Sequence, residues 1–181
     1  MSLATAFAEL HARVTLLEQA LDNLLWAVVQ GQPQQEPGHA LIDYYEAAAS
    51  DLAGLSQEAK AAAARGLAAA SAPQSVAGVR QALITAQEQF NRLSESYYQE
   101  LVCFERLDGL SRLMRRNSSE LARWAQGVSD ALHRCPQPLY EVSQALFCCW
   151  QSLSERACLN AATGSTGAEL RLVSSEKRME R

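Results

Sequence analysis

Apolar residues near the start of the chain fall at a fixed interval. Leu3, Phe7, Leu10, Val14, Leu17, Leu21, Leu24 and Val28 alternate steps of four and three, which places them on one face of a single helix as four heptads. With Leu3, Leu10, Leu17 and Leu24 at d and Phe7, Val14, Leu21 and Val28 at a, the e and g positions read Ala4, Ala6, His11, Arg13, Glu18, Ala20, Leu25 and Ala27. A solvated two-stranded zipper carries Glu and Lys there; small and apolar shoulders predict a helix inside a bundle, with neighbours on both sides of the seam. Gly31 to Gly38 (GQPQQEPG) ends this helix.

Four more helices follow from the same periodicity. From about Ala40 to Ser71, Leu41, Tyr45, Ala48, Leu52, Leu55 and Ala59 hold helical spacing, with a bend or break expected at Gly54 and a stop at Pro73. Ser75 is a suitable N-cap for a third helix, about Val76 to Leu107, whose stripe runs Val76, Val79, Leu83, Ala86, Phe90, Leu93, Tyr97, Leu101 and Phe104. The two successive steps of four around Tyr97 to Leu101 form a stutter. This helix spans roughly 45–50 Å at about 1.5 Å per residue, so the molecule is expected to be elongated. Asp108-Gly109 is the expected end or bend.

Asn117-Ser-Ser-Glu120 has the form of an N-cap with a capping-box glutamate, opening a fourth helix along Leu121, Trp124, Val128 and Leu132. Cys135-Pro-Gln-Pro138 separates it from a fifth, with Pro138 in the first turn and a stripe of Leu139, Val142, Leu146, Cys149, Leu153 and Ala157. After Cys158 the NAATGSTG stretch and a charged tail suggest a flexible or docked segment. The expected fold is therefore all-α: an elongated helical bundle of about five helices, with a long third helix and coiled-coil-like packing. One bundle domain is expected over 1–158, followed by a tail over 159–181.

Composition supports helices and adds a polarity along the chain. There are 31 alanines among 181 residues, against nine glycines and five prolines, which favours helix and leaves few turns for strands. Alanine flanks the first seam and fills Lys60 to Ala72, yet it is absent from Gln87 to Leu121. That stretch holds Phe90, Tyr97, Tyr98, Phe104 and five arginines, so it is expected to form the bulkier end of the bundle and a contact surface.

The net charge of -4 gives no global footprint for nucleic acid. Its distribution is uneven: residues 1–74 carry three basic and eight acidic side chains, 75–135 eight and seven, and 136–181 five and five. Glu9, His11, Arg13 and Glu18 interrupt the N-terminal apolar pattern, which does not read as a signal peptide, and no apolar run approaches the roughly 18 residues of a membrane span. A cytoplasmic location is expected.

Candidate chemistry is sparse. Cys103, Cys135, Cys148, Cys149 and Cys158 make an odd set with no CxxC pair, so buried or idle thiols are expected. Cys148 and Cys149 point about 100° apart on a helix and do not share one core site. His11, His39 and His133 fall in separate elements, no Glu-x-x-His motif is present, and His133 and Cys135 are two apart, which on a helix do not face each other. No GxGxxG, P-loop or GxSxG occurs. No cofactor, metal or catalytic role is assigned.

The candidate partner-binding residues are Arg106, Arg112, Arg115, Arg116, Arg123 and Tyr98, because the arginines cluster around a helix start, where an anion is favoured. The competing reading is a solvated turn with local salt bridges. Trp26, Trp124 and Trp150 are expected as core anchors, any exposed one becoming an interface anchor. Each of the pairs Tyr44-Tyr45 and Tyr97-Tyr98 is expected to put one ring inward and one at the rim.

The functional expectation is a non-catalytic helical adaptor or assembly protein that meets protein partners, including copies of itself. The alternative is a helical subunit of a nucleoprotein complex that touches nucleic-acid backbone through the Arg106–Arg123 region, an option opposed by the acidic total. A membrane-surface role is weaker still, because the seam lacks flanking Lys and exposed aromatics.

Overall fold

The structure, a computed structural model, describes the backbone of residues 2–30, 39–72, 76–114 and 119–176, and the side chains of 2–30, 42–72, 76–104, 106 and 120–159. The described residues form α1 (Leu3–Gln30), α2 (His39–Ser71), α3 (Val76–Met114), α4 (Ser119–Leu132) and α5 (Pro136–Glu176), with no strand among them. The helices pack as an up-down-up-down bundle in which α4 and α5, end to end, make the fourth column. Residue pairs across α1 give the direction: Val28 meets Trp124, Ala20 meets Cys135, and Arg13 meets Glu141. Numbers fall on α1 as they rise on α4 and α5, so the columns are antiparallel. Glu18–Lys60 and Phe7–Gly66 set α2 antiparallel to α1, and Tyr44–Glu100 with Glu58–Arg92 do the same for α3 against α2.

The α1 seam is the centre of the core. All eight heptad positions are buried, from Leu3 to Val28, and every e and g residue is at least half-buried. The shoulders divide by neighbour. On the e side Glu18 pairs with Lys60 of α2 at 2.5 Å; on the g side Arg13 reaches Glu141 of α5 at 2.7 Å, and the Cys135 thiol lies 3.9 Å from the Ala20 carbonyl. The amide of Gln137, together with Arg13, holds the Glu141 carboxyl below its usual range. These partly exposed pairs fix register more than they stabilise.

In α2 the seam differs in register from the sequence reading. Ile42, Tyr45, Ala49, Leu52, Ser56, Ala59, Ala63, Gly66 and Ala70 alternate threes and fours and face the core, while Leu55 is half-buried on the flank. Hydrophobicity favours Leu55 over Ser56, but Ser56 is fully buried because its hydroxyl donates to the Ala53 carbonyl at 2.7 Å. Small residues at these positions bring α2 close to α1; the Phe7 ring fills the space that a Gly66 side chain would take. The helix continues through Gly54 without a break.

Two helix ends also differ from the sequence reading. α3 runs through Asp108-Gly109 to Met114, giving a helix of 39 residues, about 58 Å long. α5 runs through the NAATGSTG stretch to Glu176. Glycine costs about 1 kcal/mol in a helix but, unlike proline, removes no hydrogen bond, so neither segment is forced to break. Ala157 belongs to the predicted α5 stripe yet is exposed, because α5 has by then passed the level at which α1 begins. Asn117 lies outside the described residues.

Between α4 and α5 the amides of Arg134 and Cys135 bond three residues back, to Ala131 and Leu132, in a tightened turn. Pro136 then starts α5, where its missing N–H is no loss, and Pro138 lies within the first turn. No described helix is long and apolar enough to cross a membrane.

Candidate functional site

The end of the bundle where α1 finishes and α2 begins holds an aromatic cluster. The Tyr45 ring packs on Phe104 (centroids 4.8 Å apart) and on Trp124 (6.1 Å), uniting α2, α3 and α4. Both polar tips are satisfied: the Tyr45 hydroxyl donates to the Cys103 carbonyl at 2.8 Å, and the Trp124 indole donates to the Val28 carbonyl at 2.9 Å. Burial, with the nearby Cys103 thiol, pushes the Tyr45 hydroxyl up, against the pull of Arg106. Tyr44 stays at the rim and donates to Glu100 at 2.6 Å. This is the bulky end expected from the alanine-free stretch, and the opposite end is closed by Ala69, Ala70, Phe7 and Val79.

The tyrosine pairs divide as expected: Tyr45 and Tyr97 are buried, Tyr44 and Tyr98 exposed. The tryptophans do not all follow expectation. Trp124 is buried and Trp150 half-buried, whereas Trp26 is 64% exposed at an f position beside Asp22 and Val29, on the α1–α2 side. The core reading of Trp26 is therefore corrected. Its f position faces away from the seam.

Among the predicted partner-binding residues, Arg106 and Arg123 are exposed on α3 and α4, and Tyr98 is exposed on α3 with its ring edge-on to Tyr97. The side chain of Arg112, and all of Arg115 and Arg116, lie outside the described residues. A shallow depression of about 390 Å³ between α2 and α3 is lined by Leu55, Arg92, Glu95, Ser96 and Gln99. No group of three potential metal ligands occurs among the described residues.

A surface that sequence reading missed lies between α3 and α5. Of the four sides of the bundle it is the most sparsely packed, because α5 leans on α1. On the flank of α3 away from α2 are half-buried Ile84 and exposed Tyr98, at the level where Tyr97 reaches the Leu132 carbonyl of α4, and exposed Val102 shares its heptad position with exposed Glu88 and Glu95; on the flank of α5 away from α1 are Tyr140 and Phe147, 60% and 62% exposed, with half-buried Trp150. The signal was present in the heptads: Tyr140 and Phe147 sit seven apart, just outside the Leu139–Leu146–Leu153 stripe.

The thiols also divide. Cys135 and Cys149 are buried, and burial pushes each from an ordinary value near 9.0 up to about 12; Cys103 and Cys148 are half-buried and Cys158 is exposed. Thiol reagents are expected to modify Cys158 at once and Cys135 and Cys149 only on unfolding. The unfolded chain loses these two protons above about pH 9 while the folded chain keeps them, so stability falls as pH rises from there toward 12. The denaturant midpoint should drop between pH 8 and pH 10.5, and less steeply in Cys135→Ala/Cys149→Ala. No family model, no curated protein and no solved structure matches this chain.

Proposed function

We propose that this chain is a non-catalytic helical adaptor or assembly protein that works in the cytoplasm by presenting a helix face to protein partners. The observation that carries this reading is the α3–α5 side. Around a buried core the described residues still leave Tyr98 of α3 and Tyr140 and Phe147 of α5 in solvent. Exposed aromatic side chains are typical of the centre of a protein–protein interface. They bury large area at low entropic cost when a partner arrives.

Affinity capture from the native host with the full chain tests the proposal. Proteins retained by the wild type and lost from Tyr98→Glu/Tyr140→Glu/Phe147→Glu support it. Equal capture by both, or specific capture by neither, counts against it. Retention on heparin at low salt that is abolished by charge reversal at Arg106 and Arg123 moves the reading to the nucleic-acid alternative.

A further inference from the structure

We infer that the α1–α2 side around Trp26 is a second docking surface, one that takes a basic, arginine- or lysine-bearing segment of a protein partner. It lies across the bundle from Tyr140 and Phe147 and goes beyond the reading above, so the two fail separately.

The apolar part of this surface is not required by the fold. Trp26 is 64% exposed and Val29, three residues on, is 40% exposed, with half-buried Leu25 beside them. The seam behind them, Leu21, Leu24 and Val28, is fully buried without their help. A large aromatic ring held in solvent by a rigid helix is an anchor for a partner.

Charge decides which partner. Residues 14–59 include seven acidic side chains and no lysine or arginine. Antiparallel packing folds this stretch back on itself and gathers its carboxylates around the indole. Phe7 lies against Gly66, so counting equally along α1 and back along α2 sets Trp26 level with Ala47. Trp124, which touches both Val28 and Tyr45, marks the same level. Asp22 of α1 and Asp43 and Glu46 of α2 are exposed, each within about one helical turn, ~6 Å, of that height. Glu46 stands two heptads before Lys60, the residue that reaches Glu18, and so shares its flank toward α1. Lys60 is itself engaged by Glu18, and Arg13 is turned to Glu141 of α5. A cationic side chain arriving here meets the face of an exposed indole, to which Lys and Arg are drawn, in a field of negative charge. The same field repels nucleic-acid phosphate, anionic lipid headgroups and a second copy presenting the same side.

Titration of hexa-arginine into the 15N-labelled full chain at low salt tests the surface by NMR. The indole N–H signal that is missing from Trp26→Ser is expected to move, with the signals of the buried Trp124 indole unchanged. Trp26→Ser should weaken binding about two- to fivefold, the range of an exposed cation–π contact. Asp22→Asn/Asp43→Asn should weaken it further, and Glu88→Gln/Glu155→Gln, which changes net charge equally on α3 and α5, should leave it unchanged. Absence of binding by the wild type, equal binding by Trp26→Ser, or an equal loss in Glu88→Gln/Glu155→Gln overturns the inference. So does retention on heparin, or a doubled mass by light scattering, that Trp26→Ser abolishes, since either assigns the surface to another occupant.

Discussion

Replacing Trp124 by alanine is expected to lower the unfolding free energy by about 3–5 kcal/mol, as removal of a buried tryptophan ring does elsewhere. The residue is buried, its ring lies against Tyr45, and its indole N–H reaches across to the Val28 carbonyl at 2.9 Å. Val28 is two residues from the end of α1, among the last carbonyls that a helix leaves without a partner four residues on. Trp124 thus satisfies the end of α1 from α4, and its loss opens a cavity as well as leaving that carbonyl unbonded. Trp124→Phe separates the two effects. It keeps most of the ring and removes the donor, so a smaller loss of about 1–2 kcal/mol is expected from the unsatisfied carbonyl. Denaturant melts of both variants measure the difference; a Trp124→Phe variant as stable as the wild type would contradict a specific role for the indole N–H.

Gly66→Ala is expected to destabilise, although alanine favours helix over glycine by about 1 kcal/mol. A Cβ built at Gly66 meets Phe7 Cδ1 at 2.6 Å, and comes closer still to Cε1. Phe7 is fully buried in the α1 seam and has no solvent into which to turn. Crowding of a packed core costs about 1–3 kcal/mol, enough to reverse the propensity gain. Gly54 and Gly127 have nothing within 4 Å of the same added atom, so Gly54→Ala and Gly127→Ala should each stabilise by roughly 0.5–1 kcal/mol. The same substitution therefore changes sign with position. In Phe7→Leu, which lacks the outer ring atoms, Gly66→Ala should cost less, a coupling that a double-mutant cycle reads directly. Equal effects at all three glycines would mean that α2 does not approach α1 as closely as described.

Much of this fold is legible in the chain because α1 repeats strong apolar residues at strict heptad spacing with shoulders too small and apolar for solvent. Its eight seam residues and their buried flanks follow directly. The stripes of α3, α4 and α5 read equally well, apart from Ala157, where α5 leaves the bundle. The register of α2 is harder. Ala49, Ser56, Ala63 and Gly66 are selected for close approach, which a scale of hydrophobicity ranks below the larger Leu55. Helix ends at Gly109 and beyond Cys158 were misplaced because glycine permits a break without requiring one.

The contact surface was legible only in part. Tyr98 and the arginines stand out by type, but an apolar stripe in sequence does not say which flank a neighbour covers. Trp26 shows the cost: its residue type suggests core, its f position dictates solvent. Tyr140 and Phe147 acquire meaning only when α5 is seen to lean on α1 and away from α3, since on a better-packed side the same residues would be core.

Cross-linking within the native host shows whether this protein meets other chains on its α3–α5 side. A photoreactive amino acid placed at Phe147 or Tyr140 is expected to give discrete covalent adducts. The same residue at Ala61, on the solvent face of α2, should give none. Adducts from Ala61 with none from Phe147 and Tyr140 would contradict the account.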